Sequence, residues 1–210
     1  MKNMNSAARF ICTAVALLTA GCASPGLTVV ANIPPPLVRP LPLKMGLRVT
    51  DEFAHQMQKE PVGSEEWRIV LGTAQTDAFK RVGGAMFREA VMLGDKAAGE
   101  AQGAAPQPLD AILQASLDSF STLLPSSGSS YYSATIGYRF DLQDAEGKEL
   151  GSWIYEGYGS VPSRSGGQKT GVSEAAGLAI RDAFANMAVH LPEQEIVRKL
   201  VRPEPAEPTK

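Results

Sequence analysis

The sequence predicts an α+β fold: an antiparallel or mixed four- to five-stranded sheet with two main helices packed on one face. Three observations carry that expectation. First, Tyr132, Ala134, Ile136, Tyr138, Phe140 and Leu142 alternate with Ser133, Thr135, Gly137, Arg139, Asp141 and Gln143, the period-two pattern of a half-buried antiparallel strand. Second, Leu71, Ala74, Ala78, Val82 and Ala85 recur at three- and four-residue steps, as do Val172, Ala176, Ala179, Ile180, Ala183, Met187 and Leu191. Each set builds the apolar stripe of an amphipathic helix. Third, the order is strand, helix, several strands, helix, which layers two helices on one sheet face. The chain has 210 residues, enough for one core of ordinary size.

Taken in order, residues 1–21 read as a signal peptide. Met1–Arg9 holds Lys2 and Arg9 and no acid, and Phe10–Ala20 is apolar except for Thr13 and Thr19. That run is too short for a membrane span of roughly 20 residues. Residues 22–42 read as a spacer, with Pro25, Pro34-Pro35-Pro36, Pro40 and Pro42. Such a run favours extended polyproline II at ~3.1 Å per residue, so about 20 residues reach ~60 Å. The other reading of this stretch is a docking strip along a partner.

Residues 43–202 form the single domain. Lys44–Thr50 is its first strand, with Met45, Leu47 and Val49 on one side. Asp51–Pro61 is a polar connection with a helical turn from Glu52 to Gln58, and Glu65–Leu71 a second short strand. The first helix spans Gly72–Phe87 with Thr73 as N-cap. Gly83-Gly84 weakens its last turn, which close packing on a sheet would explain. Ala90–Leu93 is a short strand and Gly94–Pro108 a loop. Ala111, Leu113, Ala115 and Leu117 then oppose Gln114, Ser116 and Asp118 along a further strand. Pro125–Ser130 is a loop. The long strand turns at Asp144-Ala145-Glu146-Gly147, and a four-residue loop pairs Tyr138 with Trp153 and Ile136 with Tyr155. The last long helix, Val172–Leu191, takes Ser173 or Thr170 as cap and stops at Pro192. Glu193–Arg202 adds a short helix, and residues 203–210 are expected to be disordered.

The chemistry-bearing residues assemble no reaction. The formal charge is −2 and grows more negative once Lys2 and Arg9 leave, against the basic stripe that nucleic-acid binding uses. There are two histidines; His190, at a helix end, reads as a dipole-compensating surface group. No His, Cys or carboxylate cluster has metal-ligand spacing. No G-x-S-x-G elbow or S-x-x-K occurs, and Gly157-Tyr158-Gly159 follows a strand without opening a helix, so it is no dinucleotide loop. Gly166-Gly167-Gln168-Lys169-Thr170 lacks the Gly-Lys-Thr order of a phosphate loop. Of the aromatic residues on the hairpin, Tyr131 and Tyr158 fall outside the core set and are the candidate partner contacts.

Leu18-Thr19-Ala20-Gly21-Cys22 resembles the lipobox of bacterial lipoproteins, with Thr19 where Leu is commonest. The resemblance implies cleavage before Cys22, a diacylglycerol on its sulfur and an acyl chain on its amine. That covalent lipid is the only cofactor expected. Ala23 after the cysteine implies sorting to the outer membrane, facing the periplasm. An ordinary signal peptide or an uncleaved anchor are the alternatives. With the spacer, the Leu71-Gly72 helix start and the Tyr138-to-Trp153 hairpin, the chain resembles Gram-negative outer-membrane lipoproteins. Its element order is similar to that of lipopolysaccharide-assembly lipoproteins and the Tol N-terminal domain. The implied role is a non-enzymatic binding or assembly module, an accessory of an envelope transport complex with a protein partner. An envelope hydrolase or small-ligand binder built around a Ser or His55 is the alternative, and a homo-oligomeric structural subunit a third.

Overall fold

Tyr131–Gln143 is indeed a long strand, and its alternation does what the sequence asks. Tyr132, Ala134, Ile136, Tyr138, Phe140 and Leu142 are all buried on one side. The computed structural model describes residues 26–62, 65–94, 108–126, 129–164 and 167–202. The leader, Cys22 and the tail 203–210 lie outside the described residues, as does most of the loop expected after Gly94.

The strands are β1 (Gly26–Thr28), β2 (Leu41–Arg48), β3 (Met57–Val62), β4 (Glu65–Val70), β5 (Phe87–Leu93), β6 (Ala111–Leu123), β7 (Tyr131–Gln143) and β8 (Glu149–Pro162). The helices are α1 (Asp51–Ala54), α2 (Gly72–Met86), α3 (Gln168–His190) and α4 (Glu195–Val201), with a 3₁₀ turn at Leu191–Glu193. The main sheet has the order β5-β2-β6-β7-β8. β2 is parallel to both neighbours, and β6, β7 and β8 are antiparallel. The fold is α+β with a mixed five-stranded sheet, as expected. A second sheet, β1-β4-β3, was not foreseen.

Helices α2 and α3 pack on the same sheet face and on each other. Leu43, Met45 and Leu47 of β2 and Ala111, Leu113 and Ala115 of β6 meet Phe79, Val82 and Met86 of α2 and Phe184 and Met187 of α3 in one core. Aromatic rings hold its centre: Tyr138 and Phe184 lie 5.0 Å apart, and Phe53 stands edge-on to Tyr138 at 5.9 Å. One polar pair sits among them. Gln75, fully buried, donates to the Phe53 carbonyl at 2.6 Å and accepts from Tyr138 Oη at 3.1 Å. Burial pushes the Tyr138 phenol well above its usual range, because the phenolate would lose its water there.

Several expectations change. Tyr138 pairs with Tyr155, Ile136 with Gly157 and Phe140 with Trp153. The register is two residues off the expected one, which leaves every side chain on its expected face. The cause is local. Asp144 Oδ1 accepts from the Glu146 and Lys148 amides, Gly147 takes a φ of 88°, and a bulge then skips Leu150. Neither long helix uses its expected cap. α2 starts from Leu71 and α3 from Gly167, without a side-chain cap bond. Ser173 instead donates to the Thr28 carbonyl at 3.1 Å. The helical turn expected over Glu52–Gln58 is the shorter α1, capped by Thr50, and β3 follows it.

The spacer differs most. From Gly26 onward it lies on the domain. β1 runs parallel to β4, with Gly26 beside Arg68, and Val29 N donates to Val70 O. Leu27, Val29 and Ile33 are buried in the main core. Arg81 donates to the Ile33 carbonyl at 3.1 Å. Residues 26–33 are thus a strap across α2 and α3.

Candidate contact surface

The second face of the main sheet is built by the residues that the alternation leaves out of the core. Down β7 these are Tyr131, Ser133, Thr135, Gly137, Arg139 and Asp141. Register places Ser121 opposite Thr135, Ser116 opposite Arg139, and Leu123 opposite Ser133. On the other side Tyr158 faces Thr135, Ser160 faces Ser133, and Ile154 faces Arg139. A bulge at Asp118 in β6 shifts the register with β7 by one residue, and Asp118 pairs with Arg139 at 3.0 Å. The face is hydroxyl-rich, with four large apolar side chains in the open: Leu123 at 71%, Tyr158 at 57%, Tyr131 at 50% and Ile154 at 45% exposure.

Both tyrosines singled out in the sequence therefore lie on this face, and not in the core. Ser133 stands between them. Its Oγ lies 3.0 Å from Tyr158 Oη and 3.3 Å from Ser160 Oγ. Hydrogen bonding from Ser133, and then from Ser160, lowers the Tyr158 phenol from its usual value. Leu123 and Ile154 were missed. Neither is set apart in the sequence, because exposure of one aliphatic residue depends on which strand lies beside it.

The outer edge of β8 is capped by a helix. Tyr158 N donates to Asp182 Oδ2 at 3.0 Å, and Asn186 Nδ2 donates to the Glu156 carbonyl at 2.8 Å. Both partners lie on α3, one turn apart. They reach the edge because α3 sits directly on the β8 backbone. A Cβ on Gly157 would collide with the Ala179 carbonyl and the Ala183 amide, and one on Gly159 with the Ala175 carbonyl. The two glycines that fail as a dinucleotide loop thus serve a helix–strand contact. Gly83 likewise admits Leu47 of β2, while Gly84 meets nothing.

The histidines do not enter this surface. His55 Nδ1 lies 2.9 Å from the carbonyl oxygen of Asp51, a contact within its own turn at the end of α1. His190, in the last turn of α3, pairs with Glu193 at 3.3 Å and stacks on Tyr155. Burial raises the Tyr155 phenol, partly offset by its hydrogen bond from Gln194. Among the described residues no His, Cys, Asp and Glu group could hold a metal ion, and no helix is long and apolar enough to cross a membrane.

Together the strapped mixed sheet, the two helices on one face and the bare second face define a small α+β domain. No protein-family model and no curated protein matches the chain. Solved structures do. A protein of Xanthomonas campestris from a family of unknown function, DUF330, superimposes with a TM-score of 0.50 at 13% identity, covering 79% of this chain and 93% of that one. That likeness is one of fold. Two bacterial proteins described as lipoproteins also align. They are a minor lipoprotein of Acinetobacter baumannii, with a TM-score of 0.39, 12% identity and coverage of 76% and 96%, and uncharacterized lipoprotein B of Nitrosomonas europaea, with 0.41, 15%, 76% and 86%.

Proposed function

We propose that this chain is a lipid-anchored lipoprotein of the Gram-negative envelope, held at the outer membrane by acyl chains on Cys22 and facing the periplasm. In this reading it works as a non-enzymatic binding or assembly module. The observation that carries the module role is the bare sheet face, where Tyr131, Tyr158 and Ile154 stand exposed on a rigid strand pair. Aromatic residues fixed in this way offer large contact area with little rotamer entropy to lose. The leader and its lipobox resemblance support the anchor. The finer reading is an accessory of an envelope transport complex, which the resemblance in element order to lipopolysaccharide-assembly and Tol-type proteins supports.

Crosslinked capture from envelopes, comparing the natural chain with Cys22→Ala, tests the role. Recovery of one protein partner by both forms is the expected result. The reading fails if mass spectrometry of the N-terminal peptide shows an unmodified sulfur, or if capture yields no protein beyond that of an unrelated acylated control.

A further inference from the structure

Four features converge on one end of the molecule. The strap enters there: Gly26 lies beside Arg68 of β4, one residue from Trp67, over whose ring Lys169 Nζ stands at 5.9 Å. Helix α3 begins there, with its first turn against the Tyr132 ring at Gly171 and Ser173 bonded to Thr28. The strap then runs alongside α3, since Val30 meets the helix at Gly177. Strand β7 starts at that end too, with Tyr131 opposite Pro162 at the close of β8, while β6 finishes at Leu123 opposite Ser133. Leu123, Tyr131 and Tyr158, the three most exposed large apolar residues of the bare face, therefore all belong to the end from which the chain leaves towards Cys22.

Chain length supplies the second half of the argument. Only three residues lie between Cys22 and Gly26, and four steps of ~3.3–3.6 Å reach no more than ~14 Å. An acylated Cys22 sits at the bilayer surface, so this end of the domain is held next to the headgroups. We infer that Leu123, Tyr131 and Tyr158 rest on the bilayer that holds Cys22, with the tyrosine rings at headgroup level. Tyrosine suits that position because its body is apolar and its tip is polar. Leu123 enters the boundary between headgroups and acyl chains, and the exposed Arg164 and Lys169 flank the phosphates. The far half of the bare face, around Ile154 and Arg139, is left for a protein partner. The inference rests on the lipid-anchored reading above and names the partner of the tyrosine end of its surface.

The test uses the full, acylated protein in vesicles of phosphatidylethanolamine and phosphatidylglycerol doped with a nitroxide-labelled phospholipid. Leu123→Cys, Tyr131→Cys and Tyr158→Cys each carry a fluorophore sensitive to polarity. The control is Glu146→Cys in the β7–β8 turn, beyond the far end of β7 and at least about 25 Å from the level of each labelled position at ~3.3 Å per residue. Expected are a blue shift and a loss of emission to the nitroxide at the first three positions and neither at the fourth. If the protein floats with the vesicles but all four labels respond alike, the inference falls while the anchor stands. If the three labels respond only when envelope extract is added, a protein covers these residues and the inference is overturned. If the protein does not float and Cys22 is unmodified, both readings fail.

Discussion

At the scale of single residues, the most consequential pair is Gln75 and Tyr138. Gln75→Leu would leave the Tyr138 hydroxyl buried without its partner and the Phe53 carbonyl with only the longer bond from the Gln56 amide at 3.5 Å. An unsatisfied buried polar group costs about 1–3 kcal/mol, so a loss of about that size is expected in urea unfolding. Tyr138 also sets a pH response. Its folded-state pKa lies above the ordinary 10.0, so above that pH the unfolded chain releases the phenolic proton first. The stabilisation is complete below pH 10 and declines as pH rises further. Tyr138→Phe should flatten that alkaline decline in a pH series of thermal melts. Nothing in the sequence separates Gln75 from any solvated glutamine. Its burial depends on α1 and β7 each supplying a hydrogen-bond partner to α2, which no local pattern records.

At the scale of elements, Gly157 and Gly159 decide how α3 meets β8. Gly159→Ala forces a methyl group into the Ala175 carbonyl, and overpacking of this kind typically costs about 1–3 kcal/mol. Calorimetry should show the lower melting temperature. Asp182 and Asn186 act differently. Their bonds to the edge are solvent-exposed, so Asp182→Ala combined with Asn186→Ala should change stability by less than about 1 kcal/mol. It should instead raise concentration-dependent association, read by light scattering, because an uncapped edge strand is a template for another strand. What was legible here followed from period. The long strand and both helix stripes show in the sequence because each is a half-buried surface with a fixed repeat. β3 was not legible, since Gln58-Lys59-Glu60-Pro61 lies on an edge and alternates nothing. The β7–β8 register was missed by two residues for want of any sign of the Leu150 bulge. Tyr131 and Tyr158 could be set apart as outside the core, but their placement with Ser133 between them needed the pairing of β7 with β8.

At the scale of the whole molecule, the strap joins the chain's first described residues to the N-terminal half of helix α3. Val29 and Ile33 are nearly fully buried, and burying one such side chain is worth about 1.5–3 kcal/mol. A domain begun at Leu41 should therefore lose about 3–6 kcal/mol of stability in urea unfolding and expose the groove between α2 and α3 to protease. Proline content disguised this segment. Pro34–Pro36 suggests a free spacer, and the three-residue β1 is too short to interrupt that impression.

The bond between Ser173 and the Thr28 carbonyl links positions 145 residues apart. β4 and α2 offer the strap part of its seat, but that seat is complete only once the last long helix is in place. The first described stretch of the domain to be synthesised is thus the last that can settle fully, and a chain that stops short of α3 leaves Thr28 without its bond from Ser173.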